Sequence, residues 1–399
     1  MAPMDETARG LANLDLLATP AGRAVLDRLA SSDPAADELR LATALRREHP
    51  AELVTAALAQ HGLRRRAAGK FARADRMFFT RDGLEQASPE PVARHRAARL
   101  ATASPNALAD LCCGIGGDLF ALAGAAARVL AVDRDELHLR MARRNAAAYG
   151  VADRVRTLRA DVREVDLAGV DAVFVDPARR SAGRRMRTGD SEPPLDWCLT
   201  LAPAVEAVAI KAAPGLDREP VPAGWEVEFV ADGRELKEAV LWSPALAGAP
   251  RRATVLGDGR TWQLLPEPGD AVDCRDPGGY LLDPNPAVTR AGLVEDLARR
   301  VGDAWKIDER IAFLASDRPI HTPFGRPLRV LDDGPWKERE LAGRLRALDI
   351  GALDIRRRGL AGDVPALARR LRGNGSRAGV LVMTRVRDKP WALICEAAG

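Results

Sequence analysis

The sequence predicts an α/β protein: a parallel, doubly wound sheet in the middle of the chain, helices before it, and a smaller α+β domain after it. Three observations carry this. Between residues 106 and 245, short β-rich runs alternate with amphipathic segments, as in a sheet covered by crossover helices. The first hundred residues show helical apolar spacing. From residue 326 a compact strand–helix–strand–helix–strand–strand pattern appears. The expected divisions are a helical region at 1–100, the α/β domain at 101–247, a connecting region with a β-hairpin and a helix at 248–325, and the α+β domain at 326–399.

Element by element, "DPAADELRLATALRREH" offers an N-cap, Asp33, followed by Pro34 at the first helical position. A second helix is expected after Pro50 in "AELVTAALAQHGLRRRAAGKF", and a third in "PEPVARHRAARLA". The strands are "ALADLC", "RVLAVD", "VRTLRAD", "DAVFVD" and "EAVAIKAAP", with helices near 118–127 and 135–149, the latter closed by Gly150. "WEVEFVADGRELKEAVLWSP" reads as a closing antiparallel hairpin and "ATVLGDGRTWQLL" as another. A helix is expected in "AVTRAGLVEDLARRVG". The final domain follows as "RPLRVL", "ERELAGRLRALDIG", "LDIRRRG", "VPALARRLRG", "AGVLVMTRV" and "WALICEA".

Composition excludes several classes. With 47% hydrophobic and 29% charged residues the chain reads as soluble and globular. No apolar run approaches the roughly twenty residues a membrane helix needs, so no membrane partner is expected. "MAPMDETARG" has no basic run leading into an apolar core, so a secretory signal is not expected either. The five cysteines are odd in number and never spaced as CxxC, and the five histidines form no HExxH pair. A cytoplasmic protein with neither a disulfide framework nor a metal follows. The net charge of +4 is uneven: from Lys337 onward fourteen Lys/Arg face seven Asp/Glu, which leaves the rest of the chain slightly acidic. A basic end domain suggests an acidic partner such as nucleic acid, against the plainer reading of a solvated basic face.

The stretch "ADLCCGIGGDLFALAG" places the turn Gly114, Gly116 and Gly117 between the first strand, ending at Asp110, and a helix starting near Asp118. In open α/β sheets the ligand lies beyond the carboxyl ends of the strands, and glycine lets backbone approach it closely. The second strand ends in Asp133, followed by Arg134, where an acid suits two ribose hydroxyls. The third ends in Asp161 and Val162, where an adenine edge and face find partners. A dinucleotide fingerprint requires glycine where this chain has Leu119. The acidic brackets Asp110 and Asp118 favour a ligand carrying positive charge, and S-adenosylmethionine fits best. Cys112 and Cys113 are read as small loop-packing residues, a reactive vicinal pair being the alternative.

"DLCCGIGGD", "AVDRD", "RAD" and "VFVDPARR" arrive in the order and spacing of class I S-adenosylmethionine-dependent methyltransferases, and residues 100–245 resemble that family. "LRRRAAGKFARADRMFFTRDGLEQAS", "VDPARR", "KAAPGLD" and the basic tail are similar to a bacterial group of such enzymes with a THUMP-like C-terminal domain. The resemblance implies a Rossmann-like catalytic domain whose seven-stranded sheet ends in an antiparallel hairpin. It also implies an RNA substrate, tRNA or rRNA, with a protein or small-molecule methyltransferase or a non-catalytic cofactor- and RNA-binding protein as alternatives. Asp176 and Pro177 of "DPARR" then stand where the acceptor meets the methyl carbon, Asp176 accepting from an attacking N–H or serving as base.

Exocyclic-amine enzymes have Pro and an aromatic where this chain has Ala178 and Arg179. Uracil-C5 enzymes need a cysteine just after the fifth strand, and "IKAAPG" has none. A nitrogen or oxygen lone pair is therefore favoured over carbon. Arg179 and Arg180, with Arg184, Arg185 and Arg187, and Lys211 at the end of strand five are candidate phosphate contacts. Arg64, Arg65, Arg66, Lys70, Arg73 and Arg76 would extend that surface. Arg356 to Arg358, and Arg369, Arg370 and Arg372, would do so in the C-terminal domain. For Lys211 and the arginine clusters, a solvated face is the competing reading.

Overall fold

The computed structural model describes residues 6–32, 38–178, 180–181, 184–185, 191–216 and 221–398. The chain forms two units, 1–226 with 239–248, and 227–238 with 249–399. The border runs through one β-hairpin.

The first unit opens with helices α1 (Glu6–Ala18), α2 (Pro20–Ala30), α3 (Glu38–Glu48), α4 (Ala51–Ala67), α5 (Arg81–Gln86) and α6 (Glu90–Leu100). The cap expected at Asp33 and Pro34 lies outside the described residues, and α1 and α2 precede it. Helix α2 starts where Pro20 follows Thr19, whose hydroxyl accepts from the Gly22 N–H at 3.0 Å. Then come β1 (Ala107–Leu111), α7 (Leu119–Ala125), β2 (Arg128–Asp133), α8 (Glu136–Ala148), β3 (Val155–Arg159) and β4 (Ala172–Val175). The two-residue strands β5 (Arg180–Ser181) and β6 (Arg184–Arg185) pair antiparallel before α9 (Leu195–Leu199) and β7 (Ala207–Ala212). Every residue of β1 and β4 is buried, because both faces of a central parallel strand are covered.

After β8 (Glu226–Asp232), strand β9 (Glu235–Trp242) runs antiparallel to β7, and the order across this unit is β9-β7-β4-β1-β2-β3. The strand order reverses between β1 and β4, and there the register does the positioning. Leu111 pairs with both Val132 and Val175, so the next residues, Cys112, Asp133 and Asp176, emerge side by side at the carboxyl edge.

In the second unit β8 pairs in parallel with β10 (Arg251–Gly257), and β10 pairs antiparallel with β11 (Arg260–Leu264). Strand β12 (Tyr280–Pro284) follows. The single helix expected from "AVTRAGLVEDLARRVG" is instead two, α10 (Pro286–Ala291) and α11 (Val294–Val301). Gly292 adopts φ +69 at the break and ends α10 in the left-handed region.

The remaining elements are β13 (Trp305–Lys306), β14 (Leu314–Ser316), β15 (Gly325–Pro335), α12 (Glu338–Ala347), β16 (Ile350–Arg357), α13 (Val364–Leu371), β17 (Arg377–Val386) and β18 (Lys389–Ala397). They build a sheet of order β13-β14-β12-β15-β18-β17-β16, so three strands from the connecting region extend the C-terminal domain. Alternation along β17 and β18 sorts its two faces. Val380, Val382, Leu393 and Cys395 pack with Leu281 and Phe313 on one side. Leu381, Met383, Ala392 and Ile394 meet Leu341, Leu345, Leu367 and Leu371 of α12 and α13 on the other.

Candidate active site

A cavity of about 640 Å³ opens at the carboxyl ends of β1, β2 and β4. Its lining includes Gly114, Gly117, Asp118, Asp133, Arg134, Asp161, Val162, Asp176, Pro177 and Lys211. These come from strand ends far apart in sequence, gathered by the register just described.

Asp133 organises the floor. One carboxylate oxygen accepts the Gly114 N–H at 2.8 Å and the other the Asp135 N–H at 2.9 Å. Gly114 has φ +53, and a Cβ built there meets no atom within 4 Å, so its backbone faces open space. Gly116, at φ +77, behaves differently: a Cβ would lie 2.9 Å from the Ala142 Cα of α8. It does not line the cavity, and its glycine is required by helix packing instead of by a ligand. Val162 is buried, while Asp161 accepts from the Arg163 N–H at 3.0 Å and pairs with the Arg163 guanidinium at 3.3 Å.

The two acids bracketing the glycine loop have different fates. Asp118 precedes α7 without capping it; its carboxylate pairs instead with Arg96 of α6, which also donates to Ser88 at 2.9 Å. Arg96 is buried over the Phe174 ring, and nothing in the sequence pattern marked it as Asp118's partner. Asp110 is buried with neither carboxylate oxygen hydrogen-bonded. Burial first, then the nearby Asp118 and Asp176, push its carboxyl far above the usual range, with Arg96 pulling the other way. A cation arriving beside this cluster would relieve it.

At the opposite wall Lys211, 8% exposed, donates to Asp176 Oδ2 at 2.6 Å. The second oxygen of Asp176 takes no bond from the described residues. Pro177 and Ala178 continue the wall. Arg179 lies outside the described residues, and Arg180 sits in the small β5–β6 hairpin. Cys112 and Cys113 line the cavity, yet burial, reinforced by nearby aspartates, drives both thiols far above their ordinary range. Neither is a thiolate near neutral pH, so neither is set up as a nucleophile. Cys198 is buried in α9, its thiol pushed up to about 12 chiefly by burial.

The N-terminal basic run is less available than its spacing implied. Arg64 donates to the Met77 carbonyl at 2.9 Å and stacks over Phe78. Lys70 caps the end of α5 by donating to the carbonyls of Leu84 and Ala87 at 2.7 and 3.0 Å. Arg65, Arg66, Arg73 and Arg76 remain exposed, and Phe78 and Phe79 are core residues. In the second unit Arg358 is committed to Asp283 at 2.9 Å and lies over Phe313. Arg370 pairs with Glu338 at 2.5 Å, whereas Arg369 and Arg372 are exposed and form no ion pair among the described residues. Sequence reasoning also missed a wall of the cavity: Thr7 of α1 and Thr80, Arg81 and Gln86 around α5 line it. The segment "FFTRDGLEQAS" was the visible signal for Thr80, Arg81 and Gln86; nothing in the sequence marked Thr7.

The residues present fit S-adenosylmethionine. Asp118 and Asp176 on the cavity wall suit a cationic ligand, the space beside Gly114 admits a ligand against the backbone, and Asp133 stands at the strand end that suits a ribose. Fold and site define a class I S-adenosylmethionine-dependent methyltransferase.

Comparison with known proteins agrees. A Mycobacterium tuberculosis protein named as an uncharacterized S-adenosylmethionine-dependent methyltransferase is 41% identical over 337 residues, 81% of this chain and 90% of its own. The chain belongs to this family of S-adenosylmethionine-dependent methyltransferases. Residues 106–200 match the RNA cap guanine-N2 methyltransferase family, 325–397 the THUMP domain-like family, and 10–67 a domain of unknown function. A 23S rRNA (uracil-C5)-methyltransferase of Acidithiobacillus ferrooxidans is 30% identical over 122 residues, 29% of this chain and 27% of that one. A solved structure from Porphyromonas gingivalis, named as a methyltransferase, shares the fold along 99% of both chains, with TM-score 0.73 and 19% identity.

Proposed function

We propose that this enzyme methylates structured RNA, tRNA or rRNA, in the cytoplasm, at a base nitrogen or another lone-pair nucleophile. The observation that carries the reading is Asp176: one oxygen is held by Lys211 and the other is open to the cavity, beside Pro177, with no thiolate nearby. S-adenosylmethionine, when bound, supplies a methyl group on an electron-poor sulfonium. The chain's own work is then to orient an acceptor in line and to take its proton, which Asp176 Oδ1 can do. Asp133 would hold the ribose, with Arg134 beside it. Asp161 and Val162 would hold the adenine, and the Gly114–Asp118 loop, with Asp110 behind it, the cationic end.

The match to an RNA cap guanine-N2 methyltransferase family supports an RNA nitrogen as acceptor, and the THUMP-like match supports RNA as partner. Exposed Arg369 and Arg372 supply cations for phosphate. Incubation with total RNA and methyl-labelled cofactor, followed by digestion to nucleosides, is the test. Label in an N-methylated nucleoside is expected. Label in a C5-methylated pyrimidine, in protein, or in no product would overturn the reading.

A further inference from the structure

S-adenosylmethionine carries a carboxylate as well as its two cationic groups, and the cavity is rich in acids. A cation away from Asp118, Asp133 and Asp176 is the strongest partner for that carboxylate. Among the described residues, five basic side chains line the cavity: Arg81, Arg134, His138, Arg163 and Lys211. Lys211 is spent on Asp176 at 2.6 Å, and Arg163 on Glu192 at 2.5 Å and Asp161 at 3.3 Å. His138 sits by Asp135 at 4.0 Å. Arg134 directly follows Asp133, on the ribose side. Arg81 remains.

Its mounting is firm. A Cβ on Gly83 would fall 2.5 Å from Ile115 of the glycine loop, so α5 lies directly on that loop. Asn145 of α8 locks the two together: its amide accepts from Phe78 N–H at 2.7 Å and donates to the Phe78 and Ile115 carbonyls at 3.0 and 2.8 Å. The Arg81 side chain is 78% exposed and meets Glu85 only through Nε, at 3.5 Å. Its two terminal nitrogens take no partner among the described residues, which leaves a fork suited to a carboxylate.

We infer that Arg81, supplied by the N-terminal helical region, binds the methionine carboxylate of the cofactor. The inference rests on the cofactor assignment and not on which RNA accepts the methyl group. Calorimetric titration of the full chain with S-adenosylmethionine and with decarboxylated S-adenosylmethionine, which keeps the ammonium, sulfonium and adenosine, tests it. Arg81→Met should weaken S-adenosylmethionine binding by about 10–100-fold, the scale of a charge-assisted pair. It should leave the decarboxylated ligand within about twofold. Equal losses for both ligands, or no loss for either, would overturn the assignment. Both arms measure binding alone, so failure of the RNA reading would leave the result intact.

Discussion

Lys211 of strand β7 and Asp176, the residue after β4, join Nζ to Oδ2 at 2.6 Å on the wall of the cavity, with the lysine almost wholly buried. The ammonium fixes one carboxylate oxygen and so determines where the other points. On the proposed reading this makes Lys211 a positioning residue and Asp176 the group that meets the acceptor.

If the pair acts as a unit, Asp176→Asn should lower turnover at least about a hundredfold and Lys211→Met at least about tenfold, with cofactor affinity nearly unchanged. The double variant should be no worse than Asp176→Asn alone, because coupled residues are not additive. Single-turnover rates and calorimetry check this. Additive losses would mean that the two act separately.

Asp133→Ala should cost about 2–3 kcal/mol of cofactor affinity. The change removes the proposed ribose acceptor and also the anchor for the Gly114 and Asp135 N–H groups. Unchanged affinity by calorimetry would remove Asp133 from the site.

Asp176 was legible because β4 is buried on both faces and reads as an unbroken apolar run ending in an acid, and Asp133 because it closes the apolar run of β2; Asp110 lies inside β1, one residue before its end. Lys211 was legible only as a strand-end lysine; its pairing with Asp176 is set by neighbouring strands distant in sequence. Strands β13 and β14 left no trace, since two- and three-residue strands acquire their conformation from pairing and not from pattern. The partnership of Asp118 with Arg96 was hidden for a related reason: a buried arginine on a helix looks like any other basic residue until its surroundings are known.

Asp110 makes stability depend on pH in an unusual direction. Its folded-state carboxyl titrates far above the unfolded value, so the folded chain binds the extra proton. The stabilisation it allows is fully present below about pH 4 and is lost as pH rises toward the folded value. Asp110→Asn should therefore gain stability over the parent as pH rises above about 4. Denaturant melts at several pH values check this; a constant difference would show that Asp110 does not titrate in this way.

Cys112 and Cys113 should resist iodoacetamide at neutral pH, both thiols being held protonated chiefly by burial. Cys112→Ala with Cys113→Ser should retain activity. Rapid labelling of the folded protein, or activity abolished in a well-folded double variant, would restore a chemical role to the pair.

Among the C-terminal arginines, Arg369→Ala and Arg372→Ala should each lower the slope of log K for RNA against log salt by about 0.7–0.9. Arg370→Ala should do less, because Glu338 already neutralises it. Filter binding across salt concentrations measures this, and a parental slope in the Arg369 and Arg372 variants would make them a solvated face.

Asn145 has a practical bearing on how the enzyme can be handled. Its one amide serves Phe78 and Ile115 together, so the glycine loop proposed to hold the cofactor is shaped partly by residues that precede the catalytic domain in the chain. A fragment cut at the apparent border near residue 100 would keep every recognisable motif and lose one jaw of the clamp. Ligand screening or domain grafting with such a fragment would test a different site from the one the whole chain builds.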